Sequence, residues 1–323
     1  MIVKERKIPI YLRQLEALLR RVPVDHPKRN AIFETFAKHK AGYKGEQAID
    51  YPLSFLPDKE YSILHDIRLF DQDHYFQIDT LILSSRFILL LEIKNITGTL
   101  LFDSEFNQLI RISEQKSEGF PDPILQIKRH EKQLQKWLNL HGFSTLPIES
   151  LVVISTPRTI INTSSHDQDF SQKVIHSANL PNKIEDLERM HEINILSAKE
   201  IQELTIQIMI DHSPLHRNIL EQYKVTKHEL LKGVQCPKCS YLPMVKIMKG
   251  WHCSNCNGIS KFAHKNALQD YALLLGMTTT NKELKDFLHI TSSPVIKRLI
   301  RAMNLPYKGE NKGREYDLTS IIR

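Results

Sequence analysis

The chain has 323 residues, 41% of them hydrophobic and 25% charged, which marks a globular protein with room for two or three domains and a substantial core. No apolar run approaches the roughly 20 residues of a membrane span, and the start, Met-Ile-Val-Lys-Glu-Arg-Lys, lacks the apolar centre of a signal peptide. A membrane partner is therefore excluded from the reading, and a cytoplasmic location is expected. The net charge of +7 is unevenly placed: from Gly233 onward there are 14 Lys and Arg against 6 Asp and Glu, while the rest carries 30 against 31. A basic C-terminal third is expected of a part that meets a polyanion; a merely solvated basic surface is the plainer alternative.

In chain order, residues 9–21 place Leu12, Leu15, Leu18 and Leu19 on one helical face. A second helix is predicted over about 27–39. Gly42-Tyr43-Lys44-Gly45-Glu46 follows, then an amphipathic helix that Pro52 bends or shortens. Residues 60–69 read as the first strand of a sheet. Two more follow at 76–83 and 87–94, apolar and separated only by Ser84, Ser85 and Arg86, so they pair as a hairpin. A further hairpin is expected from 97–102 and 108–112, then a helix over 123–140 with Ile127, Leu134, Trp137 and Leu138 among its apolar positions. Residues 151–155, Leu-Val-Val-Ile-Ser, form an apolar run without alternation, which suits an interior strand covered on both faces. Strands, a long helix and a buried strand together predict an α/β domain built on a mixed sheet. Beyond it the pattern allows a short strand at 173–175, helices at 183–190 and 198–210, and a linker with a helix over 211–232.

The first hairpin carries charge where an apolar core should continue. Asp79 lies near the start of one strand, and Glu92 and Lys94 close the other. Alternation puts Glu92 and Lys94 on one face, about 6 to 7 Å apart along the backbone. Unpaired buried charge costs several kcal/mol, so the trio calls for an explanation. An internal salt bridge at a sheet end is one; a divalent metal site with a lysine beside it is the other, and is preferred. Mg²⁺ and Mn²⁺ favour oxygen ligands. Asp79 and Glu92 would supply carboxylates and Ile93 a carbonyl. Lys94 would orient water or stabilise charge on a phosphate. Glu46 would join from the upstream helix, although an acid at a helix start needs no such role. Gln77 shares the face of Asp79 and could hydrogen-bond a ligand or substrate. His65 and His74 read as ordinary surface or core residues.

All four cysteines fall in two Cys-x-x-Cys knuckles, Cys236-Pro-Lys-Cys239 and Cys253-Ser-Asn-Cys256. Two such turns can present four thiolates tetrahedrally to Zn²⁺. Disulfides fit badly with a chain that has no secretion signal. With four ligands the zinc is structural, and the segment between the knuckles has the look of a zinc-ribbon hairpin. After it, helices are predicted at 266–275, 281–288 and 294–303, the last with Pro294 at its first turn, Ser293 as cap, and Lys297, Arg298 and Arg301 on its face. A Gly- and Asn-containing hairpin over 307–316 adds Lys308, Lys312 and Arg314. Three helices and a hairpin suggest a winged helix-turn-helix; generic three-helix packing is the alternative.

Gly45-Glu46, Gln77-Ile78-Asp79 and Glu92-Ile93-Lys94-Asn95 with Gly98 following resemble the nuclease-related domain (NERD) family, which is similar to the PD-(D/E)-x-K nucleases. The likeness extends to Pro123-Ile-Leu-Gln126 and His130 and covers roughly 40–155. The resemblance implies a restriction-endonuclease-like mixed sheet flanked by helices. It also implies a metal and catalytic site at Asp79, Glu92 and Lys94, with Glu46 contributing. Gln126 falls where related nucleases place the glutamine of a Gln-x-x-x-Tyr motif; His130 stands where the tyrosine would.

The domains expected are N-terminal helices at 1–40, the nuclease-like domain at 41–212, a linker and helix at 213–232, the zinc ribbon at 233–262 and a basic helical tail at 263–323. The function expected is a Mg²⁺- or Mn²⁺-dependent nuclease acting on DNA, held to the nucleic acid by ribbon and tail. The alternatives are a non-cleaving DNA-binding protein and a transcriptional regulator. No P-loop or helicase motif is present, so any ATP-driven helicase or other DNA-processing partner would be a separate protein.

Overall fold

The computed structural model describes all residues other than 115, 144–145, 165–167, 216, 311–312 and 323, and describes 168–169 by their backbone. It opens with β1 (Ile2–Lys4), α1 (Ile10–Arg21), α2 (Arg29–Ala48) and α3 (Asp50–Leu53). Next come β2 (Ser62–Phe70), β3 (Tyr75–Leu83), β4 (Ile88–Lys94), β5 (Thr99–Asp103), β6 (Gln108–Ile112) and β7 (Ser117–Pro121). They lead into α4 (Pro123–Leu140), β8 (Ile148–Ile154), β9 (Ile160–Thr163), α5 (Gln168–Lys173), β10 (Val174–His176), α6 (Leu180–Met190), α7 (Ala198–Asp211) and α8 (Ile219–Tyr223). The remainder holds β11 (Val245–Ile247), β12 (Gly250–His252), β13 (Ile259–Ser260), α9 (Ala263–Leu275), β14 (Thr278–Thr280), α10 (Asn281–Leu288), α11 (Ser293–Ala302), β15 (Tyr307–Lys308) and β16 (Glu315–Asp317).

These elements form two compact units, Met1–Lys7 with Lys40–Leu215, and Ile8–His39 with His216–Arg323. In the first, a six-stranded sheet runs β1-β2-β3-β4-β8-β10. It is mixed: β2, β3 and β4 are antiparallel neighbours, whereas β1, β8 and β10 lie parallel to theirs. Alternation along the strands sorts side chains to two faces. Leu81 and Leu90 pack with Leu134, Trp137 and Leu138 of α4 and with Leu204 and Ile208 of α7. Ile82, Leu89 and Leu91 pack on the other face with Leu53 of α3 and with Ile184 and Leu187 of α6. The non-alternating run of β8 is buried both ways, Leu151 and Val153 on one side and Val152 and Ile154 on the other. A second sheet, β7-β6-β5-β9, covers part of the first through Leu100, Phe102 and Leu109.

The second unit has one core. Leu15 and Leu18 of α1, Ile32 at the start of α2, Trp251 and Cys253 of the cysteine segment, and Ala267, Leu284 and Ile296 of the later helices belong to the same apolar cluster. Inside it, Asp270 bridges two arginines, Arg21 Nε at 2.8 Å and Arg20 Nη2 at 2.7 Å. Strands β14, β16 and β15 form a small antiparallel sheet beside α9, α10 and α11.

The mixed α/β sheet of the sequence reading is present, and α4 and α10 start and stop where predicted. Three features differ. Residues 40–48 continue α2 without a break, although it contains Gly42 and Gly45 and interior glycine costs a helix about 1 kcal/mol each. A segment that packs only as a helix overrides that propensity. β1, β7 and β9 carry little periodic signal and become strands by pairing. The residue capping α11 is Ser292 rather than Ser293, and its side chain makes no capping bond. Residues 1–7 and 8–39 fall in different units.

Candidate active site

The candidate site lies where the central sheet splits. Strands β3 and β4 pair from Leu83↔Ile88 to Thr80↔Leu91, and there the ladder ends. β4 goes on beside β8 as far as Lys94↔Ile154. Asp79 is the first residue past the split. Its Oδ2 accepts the Ile93 N–H at 2.8 Å, so a side chain supplies the bond that a strand carbonyl would otherwise make. On its other side, the register of β2 with β3 passes from His65↔Thr80 to Ile67↔Ile78 without a 66–79 pair. Asp66 there has a left-handed φ of 53°, a conformation that Asp tolerates better than most residues. The backbone is thus opened on both flanks of Asp79.

Glu92 and Lys94 project to the same face, as alternation requires. Lys94 Nζ donates to Glu92 Oε1 at 2.6 Å and to Gln126 Oε1 at 3.1 Å. Gln126 is delivered by the first turn of α4, which is capped by Asp122 accepting from Ile124 N. Glu46 reaches in from the end of α2. The close approach of that helix is made possible by Gly45, whose missing Cβ would sit 2.2 Å from Asn95 Cβ and 2.8 Å from Ser155 Oγ. Gln77 turns elsewhere, donating to Asp66 Oδ1 at 2.6 Å, and bonds none of the other candidate residues.

Each of the three acids is tethered by one oxygen: Glu46 Oε2 to Arg6 at 3.0 Å, Asp79 Oδ2 to Ile93 N, and Glu92 Oε1 to Lys94. The second oxygen of each makes no hydrogen bond among the described residues. Burial, with Glu92 and Glu46 nearby, holds the Asp79 carboxyl well above the ordinary carboxylate range. Burial also raises Glu46 against the opposing pull of Arg6, with Asp66 and Glu92 adding to the rise. The three carboxylates do not close to within 4.8 Å of one another, as like charges would dictate. Carboxylate oxygens are the donor type that a hard divalent cation takes, although at this spacing the three do not form a closed ligand group.

Residues that the sequence reading missed complete the surroundings. Arg6 contacts Glu46, Asp50, His65 and Thr80, and Asp66 accepts from Gln77 and adds negative charge near Glu46. Arg6 sits in a charged run with no local mark of burial, and Asp66 looks like one polar position in an alternating strand. His65, read as ordinary, is buried, and burial together with Arg6 and Lys4 pushes its pKa down to about 3. His130 is buried one turn beyond Gln126, its ring tilted against Phe76. Burial lowers its pKa, partly offset by Glu92.

In the second unit the four cysteines are free of disulfides. Their Sγ atoms all lie within 4.8 Å of one another and are the one such group of His, Cys, Asp or Glu ligand atoms among the described residues. Cys236 and Cys256 are 3.7 Å apart, and Cys239 and Cys253 3.5 Å. Four sulfurs placed tetrahedrally at about 2.3 Å from a zinc would be about 3.8 Å apart, so the cluster is compatible with zinc. Lys297, Arg298, Arg301 and Lys308 are exposed, and Arg314 lies over the Tyr307 ring at 4.1 Å. Lys312 lies outside the described residues.

Residues 41–155 match the family model of the nuclease-related domain, NERD. The match spans about a third of the chain and takes in Glu46, Gln77, Asp79, Glu92, Lys94, Gln126 and His130. It points to a nuclease-related function with a nucleic acid as substrate. No curated protein and no solved structure matches the chain. Among the described residues, no helix is long and apolar enough to cross a membrane.

Proposed function

We propose that the first unit is a metal-dependent nuclease that hydrolyses phosphodiester bonds in DNA. The observation that carries this reading is the set of three carboxylates, each tethered by one oxygen with no bond to the other among the described residues, beside a lysine at a split in the sheet. Asp79 and Glu92 would hold Mg²⁺ or Mn²⁺, with Glu46 and the Ile93 carbonyl as further ligands. Such an ion, when bound, polarises the phosphate and lowers the pKa of water. An ammonium has three donors. Lys94 uses two on Glu92 and Gln126, which leaves one for the attacking water or a phosphate oxygen and aims it in advance. Gln126 fixes the lysine from the α4 side. His130, kept neutral, adds no charge. Gln77 acts at one remove, holding Asp66 beside the gap.

The cysteine cluster is proposed to hold a structural zinc, and the last three helices with their hairpin to form a winged helix-turn-helix. Its cations bind the DNA backbone: Lys297, Arg298, Arg301, Lys308 and Arg314 make no ion pair among the described residues, whereas Arg6, Arg20, Arg21 and Lys94 do. The test is incubation of labelled single- and double-stranded DNA, linear and circular, with Mg²⁺, Mn²⁺ or chelator, using wild type and Lys94→Ala. Metal-dependent cutting lost in Lys94→Ala supports the nuclease. Absence of cutting on every substrate, with tight salt-sensitive binding that needs residues after Gly233, would favour a non-cleaving DNA-binding protein or regulator instead.

A further inference from the structure

The family match begins at residue 41, yet the acid cluster is held from a segment well before it. β1 adds to the sheet beside β2 in parallel, Ile2 opposite Ile63 and Lys4 opposite Leu64. Two cations two residues apart leave this segment for the same region. Lys4 Nζ donates to the carbonyls of His65 and Asp66, both at 2.7 Å, and so binds the backbone where β2 bends away from Asp79. Arg6 goes further. Its Nη1 donates to Glu46 Oε2 at 3.0 Å and its Nε to Asp50 Oδ1 at 3.1 Å. Its Nη2 lies 2.8 Å from His65 Nδ1 and 3.1 Å from Thr80 Oγ1. The guanidinium thus grips α2, α3, β2 and β3 at once, and the side chain is only 3% exposed.

A buried arginine needs its charge matched and its donors used. Both conditions are met here by partners from separate elements, and one partner is a candidate metal ligand. Arg6 takes Oε2 of Glu46 and leaves Oε1 open. Glutamate on a helix has several rotamers, and among the described residues the bond to Arg6 is what holds the Glu46 side chain. We propose that Arg6 is a positioning residue that selects the Glu46 rotamer with Oε1 available to the ion, so that the N-terminal segment is part of the active-site assembly. The proposal rests on the nuclease reading above. The planar fork matters as well as the charge: a lysine at position 6 keeps the charge and cannot make the same set of contacts.

The alternative is that Arg6 only ties helices to the sheet. A double-mutant cycle in the full chain separates the two. Wild type, Arg6→Lys, Glu46→Gln and the double variant are compared for DNA cleavage with Mn²⁺ and for Mn²⁺ binding without DNA by calorimetry, with thermal melting to report folding. Supporting residues behind metal ligands typically account for about 10–100-fold in affinity or activity. Arg6→Lys is expected to lose that much in kcat and in Mn²⁺ affinity on its own, and less than about twofold in the Glu46→Gln background. Equal losses in both backgrounds would overturn the proposal and leave Arg6 a structural residue. Failure of the wild type to cleave any DNA would overturn the nuclease reading, while the Mn²⁺ cycle would still decide on Arg6. If the wild type also fails to bind Mn²⁺, the proposal falls too. Should Arg6→Lys not fold, Asp50→Asn removes one anchor of the same guanidinium at a half-exposed position and takes its place in the cycle.

Discussion

Replacing Gly45 by alanine adds one methyl group at the point where α2 meets the strand ends. The new Cβ would lie 2.2 Å from Asn95 Cβ, 2.8 Å from Ser155 Oγ and 2.9 Å from Asn95 Cγ. Carbon atoms rest about 3.5–4.0 Å apart, so the helix or the strand end must give by more than about 1 Å. Asn95 resists, because its amide donates to Ala41 O at 2.6 Å and its Oδ1 accepts the Thr156 hydroxyl at 2.5 Å. Overpacking of this kind costs about 1–3 kcal/mol, and the better helix propensity of alanine offsets about 1 kcal/mol. The net change in stability is then about 0–2 kcal/mol destabilising, small enough for the protein to remain folded. Activity should suffer more, because Glu46 is the next residue and a 1 Å misplacement can cost about 100-fold in rate. Urea denaturation and Mn²⁺-dependent cleavage measure the two effects separately. Gly42→Ala, with nothing within 4 Å of its added Cβ, serves as the neutral control. Gly45→Ala/Asn95→Gly removes two of the three close atoms and should recover part of the rate. Wild-type cleavage by Gly45→Ala would refute the claim that close packing of α2 sets the position of Glu46.

Folding raises the pKa of Asp79. A carboxyl so raised favours the fold while protonated, and that contribution is lost as pH rises through the raised value. Asp79→Asn should therefore melt above wild type at pH 8, and the difference should shrink as pH falls toward about 4, the ordinary range of the group; a pH-independent difference would argue against an electrostatic origin. Asp270→Ala strands Arg21, whose side chain is 1% exposed, and should destabilise the second unit by about 3–5 kcal/mol in denaturant titrations. Metal analysis should find one zinc per chain; stripping it should expose Trp251, now 1% exposed beside Cys253, and shift its fluorescence to the red. A chain with no zinc and an unchanged spectrum after chelation would remove the ribbon from the account.

The candidate site was legible as a candidate because its residues interrupt a strong pattern. Two apolar strands with one short turn between them leave little choice of pairing, and charge at their ends stands out against the apolar run. The Cys-x-x-Cys pairs were equally plain, since all four cysteines fall in one motif. What could not be read depends on contacts distant in sequence. β1 is three residues long and has no pattern of its own; it is a strand because β2 has an open edge. Arg6 and Glu46 are 40 positions apart, and neither residue type implies the other. The continuous α2 runs against the local preference of its glycines. Alternation puts Gln77 on the face of Asp79, but its partner, Asp66, depends on a left-handed residue that no periodicity reveals.

The split in the sheet also determines which substitutions can test the chemistry. Asp79 is at once a candidate ligand and the acceptor for the Ile93 amide at a point where β3 has withdrawn from β4. Asp79→Ala removes both, and a buried amide left without an acceptor costs about 1–3 kcal/mol. Loss of cleavage in that variant would not separate lost chemistry from a collapsed fork. Asp79→Asn keeps a carbonyl oxygen for the amide and removes the charge, so loss of metal binding with a raised melting temperature would trace to the charge itself. The same reasoning favours Glu92→Gln over Glu92→Ala, since a Gln oxygen still accepts from Lys94 and leaves its ammonium aimed. If Asp79→Asn and Glu92→Gln both melt normally, hold the Lys94 geometry and still cleave DNA at the wild-type rate, the fork is a structural device and the hydrolytic site must be sought elsewhere in the chain.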